Sequence, residues 1–331
     1  MSYVMESSAL QGTLSASNFS QELAASILGS LDRTVLADSS TVIAENTVIA
    51  VISSGGEITN VPDTVPVVIF QGASVTFSGA VQGDRLIQAT EGDNTIVLQG
   101  EGNATVVTGA GDDVVTTDAG GDTVQLGGGN DTVDTGDGVD VVRMSASRDE
   151  VTVTVQDDGS LLLQVLGGEA VQQNSSGRVL FNDSPAGSAV NNAELIEFSD
   201  GSVLVVAQDN NDGTVARLYE AAFNRQLDVE GFRYWMTEEN EGMSLSEMGD
   251  RFIDSAEFEA IYGSLSDEAF IDAVYQNVFG RDADDAGQAF WLDKLESGYS
   301  KGNLLADFAY STEAQTIYDD LVVIVGTPPI A

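Results

Sequence analysis

From residue 91 to 143 the chain alternates between two textures, a Gly- and Asp-rich half and a half with Val between small or polar neighbours, and the alternation returns every nine residues. In register the units read QGEGNATVV, TGAGDDVVT, TDAGGDTVQ, LGGGNDTVD and TGDGVDVVR. The fourth place is Gly in each (Gly102, Gly111, Gly120, Gly129, Gly138) and the eighth is Val (Val106, Val115, Val124, Val133, Val142). The sixth is Asp113, Asp122, Asp131 and Asp140, with Ala104 as the exception. An upstream copy, EGDNTIV, aligns only with a one-residue insertion at about Leu98. Side chains alternate across a strand, so a short x-Val-x strand points its Val inward, while the Gly-rich half supplies the backbone conformations of a tight turn. Two units then make one coil and residues 18 apart stack. Asp113 lies over Asp131 on one edge, and Asp122 over Asp140 on the other.

Other periodicities divide the rest of the chain. Residues 1–60 form an N-terminal segment with helical spacing at Leu23, Ile27, Leu28 and Leu31 and short strands near its end. Residues 61–143 are expected to be a β-solenoid, and 144–207 a β-strand cap in which EVTVTV and SLLLQVL flank QDDG as a hairpin. AQDNNDG, 207–213, reads as a polar linker. Helical patterning then runs over 214–320, followed by a tail, 321–331. The fold class is thus multidomain: a β-rich N-terminal part with a parallel β-roll, plus a C-terminal all-α tandem-repeat domain.

Composition narrows the function. Fifty-three acidic residues against 12 basic ones give a net charge of -41, which leaves few cations for phosphates and speaks against nucleic acid. There is no Cys and no His, so disulfides, thiolate or imidazole metal sites and His-dependent nucleophilic catalysis are excluded. The first residues lack the basic and apolar regions of a secretory signal, and no apolar run is long enough for a membrane span. No constellation of catalytic groups stands out, and the expectation is a protein that is not an enzyme.

Aspartates stacked at the spacing of adjacent strands, about 4.8 Å, repel unless a cation lies between them. Ca²⁺ suits such a column because it accepts six to eight oxygens, carboxylate and carbonyl together. The expected ligands are Asp113, Asp122, Asp131 and Asp140 with the turns that hold Gly109, Gly111, Gly120, Gly127, Gly129, Gly136 and Gly138. The units resemble the RTX (repeat in toxin) nonapeptide, G-G-x-G-x-D-x-U-x, a parallel β-roll that binds Ca²⁺. Asp118 in place of the first Gly, and Ala104 in place of Asp, point to about two to four ions rather than a long array. The resemblance implies type I secretion without an N-terminal signal, and folding outside the cell or at its surface, where Ca²⁺ is plentiful.

The helical part is a duplication with a 56-residue period, repeats 215–263 and 271–319. LYEAAFNRQLDVEGFRYW (218–235) matches VYQNVFGRDADDAGQAFW (274–291) at Tyr219/Tyr275, Phe223/Phe279, Arg225/Arg281, Asp228/Asp284, Gly231/Gly287 and Trp235/Trp291. Asp228 and Asp284 stand where helix N-caps belong. The pattern resembles the domain of unknown function 4214, which accompanies RTX repeats and surface-layer-like proteins. Trp235 and Trp291 read as core, with a ligand-stacking platform as the sharper alternative. Asp282, Asp284 and Asp293 follow EF-hand spacing as a weak metal site, against a simple capped turn. The expected partners are calcium, and either further copies of the chain or a cell-surface glycan or protein. The expected function is an extracellular calcium-binding structural protein (surface layer, filament or matrix), with an adhesin or glycan- or protein-binding module as the alternative and a carboxylate-dependent enzyme as a third, weaker one.

Overall fold

The computed structural model describes residues 34–37, 41, 43–44, 47–72, 74–89, 91–156, 159–166, 172–174, 178–180, 188–225, 227–263, 265–318 and 322–324. The helix expected around Leu23–Leu31 and the end of the C-terminal tail lie outside these residues. The chain divides into two compact units, Met1–Ser202 and Val203–Ala331.

The first unit is a parallel β-solenoid with two sheets. One sheet runs β1 (Thr34–Ala37), β2 (Ile49–Ile52), β4 (Val67–Phe70), β6 (Arg85–Gln88), β8 (Ala104–Val107), β10 (Thr123–Gln125), β12 (Val141–Arg143), β18 (Leu195–Glu197). The other runs β3 (Gly56–Ile58), β5 (Val75–Ala80), β7 (Thr95–Gln99), β9 (Val114–Thr116), β11 (Thr132–Asp134), β17 (Ser188–Asn191). From β2 to β12 successive strands fall on alternate sheets, so each coil there contributes one strand to each. Val106, Val115, Val124, Val133 and Val142 are all fully buried between the sheets. The ladder reaches beyond the expected 61–143: it takes in β1 to β3 upstream and closes on β17 and β18 downstream.

Within the repeat, paired coils are offset by 18 residues, as between Asp113 and Asp131. One coil earlier the offset is 19, as between Asn94 and Asp113. The extra residue is taken up in β7, five residues long where β9 to β12 have three. This is where the sequence needs an insertion at Leu98. Between β12 and β17 the chain makes two antiparallel hairpins, β13 (Val151–Val155) with β14 (Leu161–Val165), and β15 (Gln172–Asn174) with β16 (Arg178–Leu180). β14 also pairs antiparallel with β17, which lies parallel to β11.

In the second unit, β19 (Val203–Ala207) pairs with β20 (Val322–Ile324), and eight helices are described. They are α1 (Asn210–Phe223), α2 (Val229–Asn240), α3 (Leu245–Ile253), α4 (Ala256–Tyr262), α5 (Asp267–Phe279), α6 (Asp285–Glu296), α7 (Lys301–Tyr310) and α8 (Thr312–Ile317). AQDNNDG is not a linker. Asp209 accepts from the N–H groups of Asn211 and Asp212, and Asp212 reaches back to the Asp209 N–H, a capping box that starts α1 at Asn210.

The duplication is visible contact by contact. The C-caps of α1 and α5, Asn224 and Gly280, are both left-handed (φ 51° and 63°), a conformation these two residue types tolerate. The next residue, Arg225 or Arg281, lays its guanidinium over two rings of its own copy and pairs with Glu257 or Glu313 at 2.8 and 2.9 Å. One surface pair is exchanged in sign. Glu238 of α2 meets Arg251 of α3 at 2.8 Å, and in the second copy Lys294 meets Asp307 at 3.6 Å. Arg217, 2% exposed, donates to the Ala309 carbonyl at 2.8 Å and joins α1 to the end of α7.

Phe252 sits against Tyr219, Phe223 and Trp235 with centroids 4.7–5.2 Å apart. Phe252→Ala is expected to cost about 3–5 kcal/mol. Chemical denaturation followed by Trp fluorescence checks this.

Candidate metal centre

The turns of the repeat fall in two columns. Turns 108–113 and 126–131 join the β8 sheet to the β9 sheet along one edge. Turns 117–122 and 135–140 return along the other. The four repeat aspartates are almost wholly inaccessible: Asp131 and Asp140 are 0% exposed, Asp113 and Asp122 1%. The structure stacks them in the pairs that the nine-residue period requires.

Their role in the backbone is specific. On the first edge the Asn94 N–H donates to Asp113 Oδ1 at 2.8 Å, and the Asp113 N–H to Asp131 Oδ1 at 3.1 Å. On the second edge the Ala104 N–H donates to Asp122 Oδ1 at 2.6 Å, and the Asp122 N–H to Asp140 Oδ1 at 2.7 Å. Each aspartate thus serves a turn N–H of the coil before it, a donor that no strand partner can reach. A second column, one residue upstream on each edge, runs the opposite way. The Asp112 N–H donates to Asp93 Oδ1, the Asn130 N–H to Asp112 Oδ1, and the Gly121 N–H to Asn103 Oδ1, at 2.8–3.0 Å. The sequence reading missed this column and its members Asp93, Asn103, Asp112 and Asn130, because the fifth place of the unit varies. It also missed Asn94, whose place in the column is shifted by the longer β7 coil.

The glycines bring the turns together. A Cβ on Gly138 would lie 1.8 Å from the Gly120 carbonyl oxygen, and one on Gly129 would lie 2.1 Å from that of Gly111. Gly127 and Gly136 are likewise closed off by the carbonyls of Gly109 and Asp118, at 1.7 and 1.9 Å. Gly109, Gly111 and Gly120 therefore turn carbonyl oxygens toward the following coil. At Gly138, φ is 148°, a value other residues avoid.

Two observations bear on whether a cation fits. Asp113 Oδ2 and Asp140 Oδ2 are buried and have no hydrogen-bond partner among the described residues. A buried, unpaired carboxylate oxygen is costly. Electrostatics follows. Burial pushes the Asp140 carboxyl up to about 9, helped by the charges of Glu194 and Asp122 and opposed by the Asp122 N–H. Burial likewise takes Asp131 to about 7, with Asp113 and Asp112 adding to it, and raises Asp113. Without a cation, burial works against the charged form of each of these groups. Among the described residues no three acidic side chains converge on one point. A bound ion must therefore take carbonyl oxygens as well as carboxylates, the mixed hard-oxygen set that suits Ca²⁺. Those residues fit the ion.

The other sequence candidates are not brought together. Asp284 caps α6 by accepting from the Gly287 N–H at 2.7 Å, Asp293 lies within α6, and Asp282 accepts from Gln276. An EF-hand needs a 12-residue loop, but helix begins at Asp285, so the EF-hand spacing is corrected to a capped turn. Trp235 and Trp291 are half-buried and pack their rings on Phe252 and Phe308, with centroids 4.7 and 5.0 Å apart.

The ion-free roll is expected to lose stability as pH rises. Asp131 and Asp140 hold protons more tightly folded than unfolded, so the loss begins above the ordinary Asp value near 4 and continues toward about 7 and about 9. Saturating Ca²⁺ should flatten this dependence and release protons at neutral pH. Thermal melts across pH with EGTA or Ca²⁺, and calorimetry in buffers of different ionisation heat, check both.

Residues 98–133 and 107–142 match the RTX calcium-binding nonapeptide repeat, and residues 249–318 match a domain of unknown function, DUF4214. The second match is narrower than the two helical repeats, 215–263 and 271–319, and begins inside the first. No curated protein and no solved structure matches the chain. RTX repeats bind Ca²⁺ and imply a secreted protein. The chain therefore carries a calcium-binding RTX β-roll and, in its helical unit, a DUF4214 region.

Proposed function

We propose that this is an extracellular structural protein that folds its roll on meeting Ca²⁺ and assembles with further copies at or near the cell surface. The observation that carries the reading is the pair of buried aspartate columns with orphaned oxygens. A roll built this way is poorly stable as a polyanion and closes when a cation arrives. Asp113 and Asp131 hold ions on one edge, and Asp122 and Asp140 on the other, with the carbonyls of Gly109, Gly111 and Gly120 and of the turns containing Gly127, Gly129, Gly136 and Gly138. The net charge of -41 adds to the repulsion that Ca²⁺ relieves.

Assembly draws support from β13. It ends its sheet and pairs only with β14 among the described residues, and its last residue, Val155, is 40% exposed. An open edge of this kind is a template for another strand. A non-catalytic role belongs to the same reading, since RTX and DUF4214 regions are typically structural or toxin-associated.

A second reading, a binding module for a cell-surface glycan or protein, is favoured by one observation. Tyr234 and Phe290, equivalent positions of the two helical copies, are 49% and 54% exposed beside the two Trp residues. Exposed aromatics repeated in both copies suit a stacking partner.

Titration of the EGTA-treated chain with Ca²⁺ is expected to produce β-structure by circular dichroism together with growth in particle size by light scattering. Folding to a strictly monomeric product would favour the binding module. Asp113→Ala with Asp131→Ala is expected to lower the calcium stoichiometry while sparing ions on the opposite edge, and an unchanged stoichiometry by equilibrium dialysis would overturn the stacked-carboxylate site.

A further inference from the structure

The two edges of the roll end differently. On the first, the Asp131 N–H donates to the Ser188 hydroxyl at 3.4 Å, and that hydroxyl lies 3.5 Å from Asp131 Oδ2. A neutral group closes that column. On the second edge the chain returns through β17 and a short turn, Asn192–Glu194, into β18. β18 pairs with β12 in the register Val141 to Leu195, so Glu194 stands before Leu195 as Asp140 stands before Val141. Glu194 occupies the sixth place of a coil although no nonapeptide surrounds it. Its Oε2 accepts the Asp140 N–H at 2.7 Å, the same bond that Asp140 and Asp122 offer to the coils before them. The Glu194 and Leu195 N–H groups both donate to the Asp140 carbonyl, at 3.2 and 3.1 Å, and fix the turn beneath it. The longer Glu side chain bridges a turn three residues long, where the repeat uses six.

An anion is a poor neighbour for Asp140. That residue is 0% exposed and its Oδ2 has no hydrogen-bond partner among the described residues. A neutral acceptor is enough to receive such an N–H, as Ser188 does for Asp131 at 3.4 Å. A carboxylate here is explained by a cation shared with Asp140.

We infer that Asp140 and Glu194 form a terminal calcium site, outside the nonapeptide array, which fastens the returning strands to the last repeat coil. This rests on the calcium-dependent roll proposed above. The site joins the two sides of the 144–187 insertion, so the strands after it dock only when the ion is present.

Equilibrium dialysis of the full chain with ⁴⁵Ca²⁺, comparing wild type, Glu194→Gln and Ser188→Ala, tests this. Gln keeps an acceptor for the Asp140 N–H but removes the charge. Glu194→Gln is expected to bind one ion fewer, or to bind that ion at least tenfold more weakly, with its melting temperature in EGTA not lowered and its gain on adding Ca²⁺ reduced. Ser188→Ala is expected to keep the full stoichiometry. Wild-type stoichiometry and affinity in Glu194→Gln would overturn the terminal site alone, whereas a wild-type chain that binds no Ca²⁺ would overturn the roll reading with it. Should Glu194→Gln fail to fold, Glu194→Asp, charged but one methylene shorter, is expected to weaken one ion, and unchanged affinity there would equally overturn the site.

Discussion

The β-roll depends on one bond, repeated: a turn N–H of one coil donating to a buried aspartate oxygen of the next. A solenoid satisfies its strands by pairing them, but its turns leave donors that must find acceptors or water. In four of the five units the sixth residue fills this need with a carboxylate rather than a neutral group. One oxygen completes the backbone, and the second is carried into the interior with the charge. The same residue therefore stabilises the coil through its hydrogen bond and destabilises it through its ionisation. A divalent cation resolves the conflict and links metal binding to folding.

The glycines serve that arrangement. Two aspartates separated by a strand spacing are useful to a cation only if backbone oxygens lie beside them. At Gly129 and Gly138 a side chain would occupy the place where the preceding coil presents a carbonyl. The close stacking of turns and the collection of oxygens around the aspartates are one geometric fact, which is why Gly and Asp recur together.

The repeating part of this fold was legible in the sequence because it repeats. The burial of Val106 to Val142, the stacking of Asp113 on Asp131 and of Asp122 on Asp140, and the extra residue near Leu98 all follow from counting. The ladder's extent was less legible. Strands such as IAVI (49–52) and VVIF (67–70) continue it with apolar residues alone and carry no Gly-Asp signature. Glu194 was invisible for a related reason: it joins the column only because a 54-residue register places Leu195 opposite Val141. AQDNNDG misled because its polar residues are those of a linker and of a helix cap alike. In the helical unit the matched residues Tyr219, Phe223, Arg225 and Trp235 proved to be parts of one packed cluster, and so did their counterparts, which explains their retention in both copies without invoking a ligand.

The exchanged pair on the helical unit has a consequence for how two near-identical halves keep apart. Tandem repeats risk trading equivalent helices, within a chain or between chains, because each half offers the other's elements a nearly native seat. Glu238 with Arg251, and Lys294 with Asp307, are exposed pairs that add little to stability. A hybrid half would set Glu238 against Asp307, or Lys294 against Arg251. Like charges in contact discriminate more sharply than opposite charges attract. The sign reversal thus works against a hybrid half and, to the small extent that a surface pair counts, favours each copy's own helix pairing.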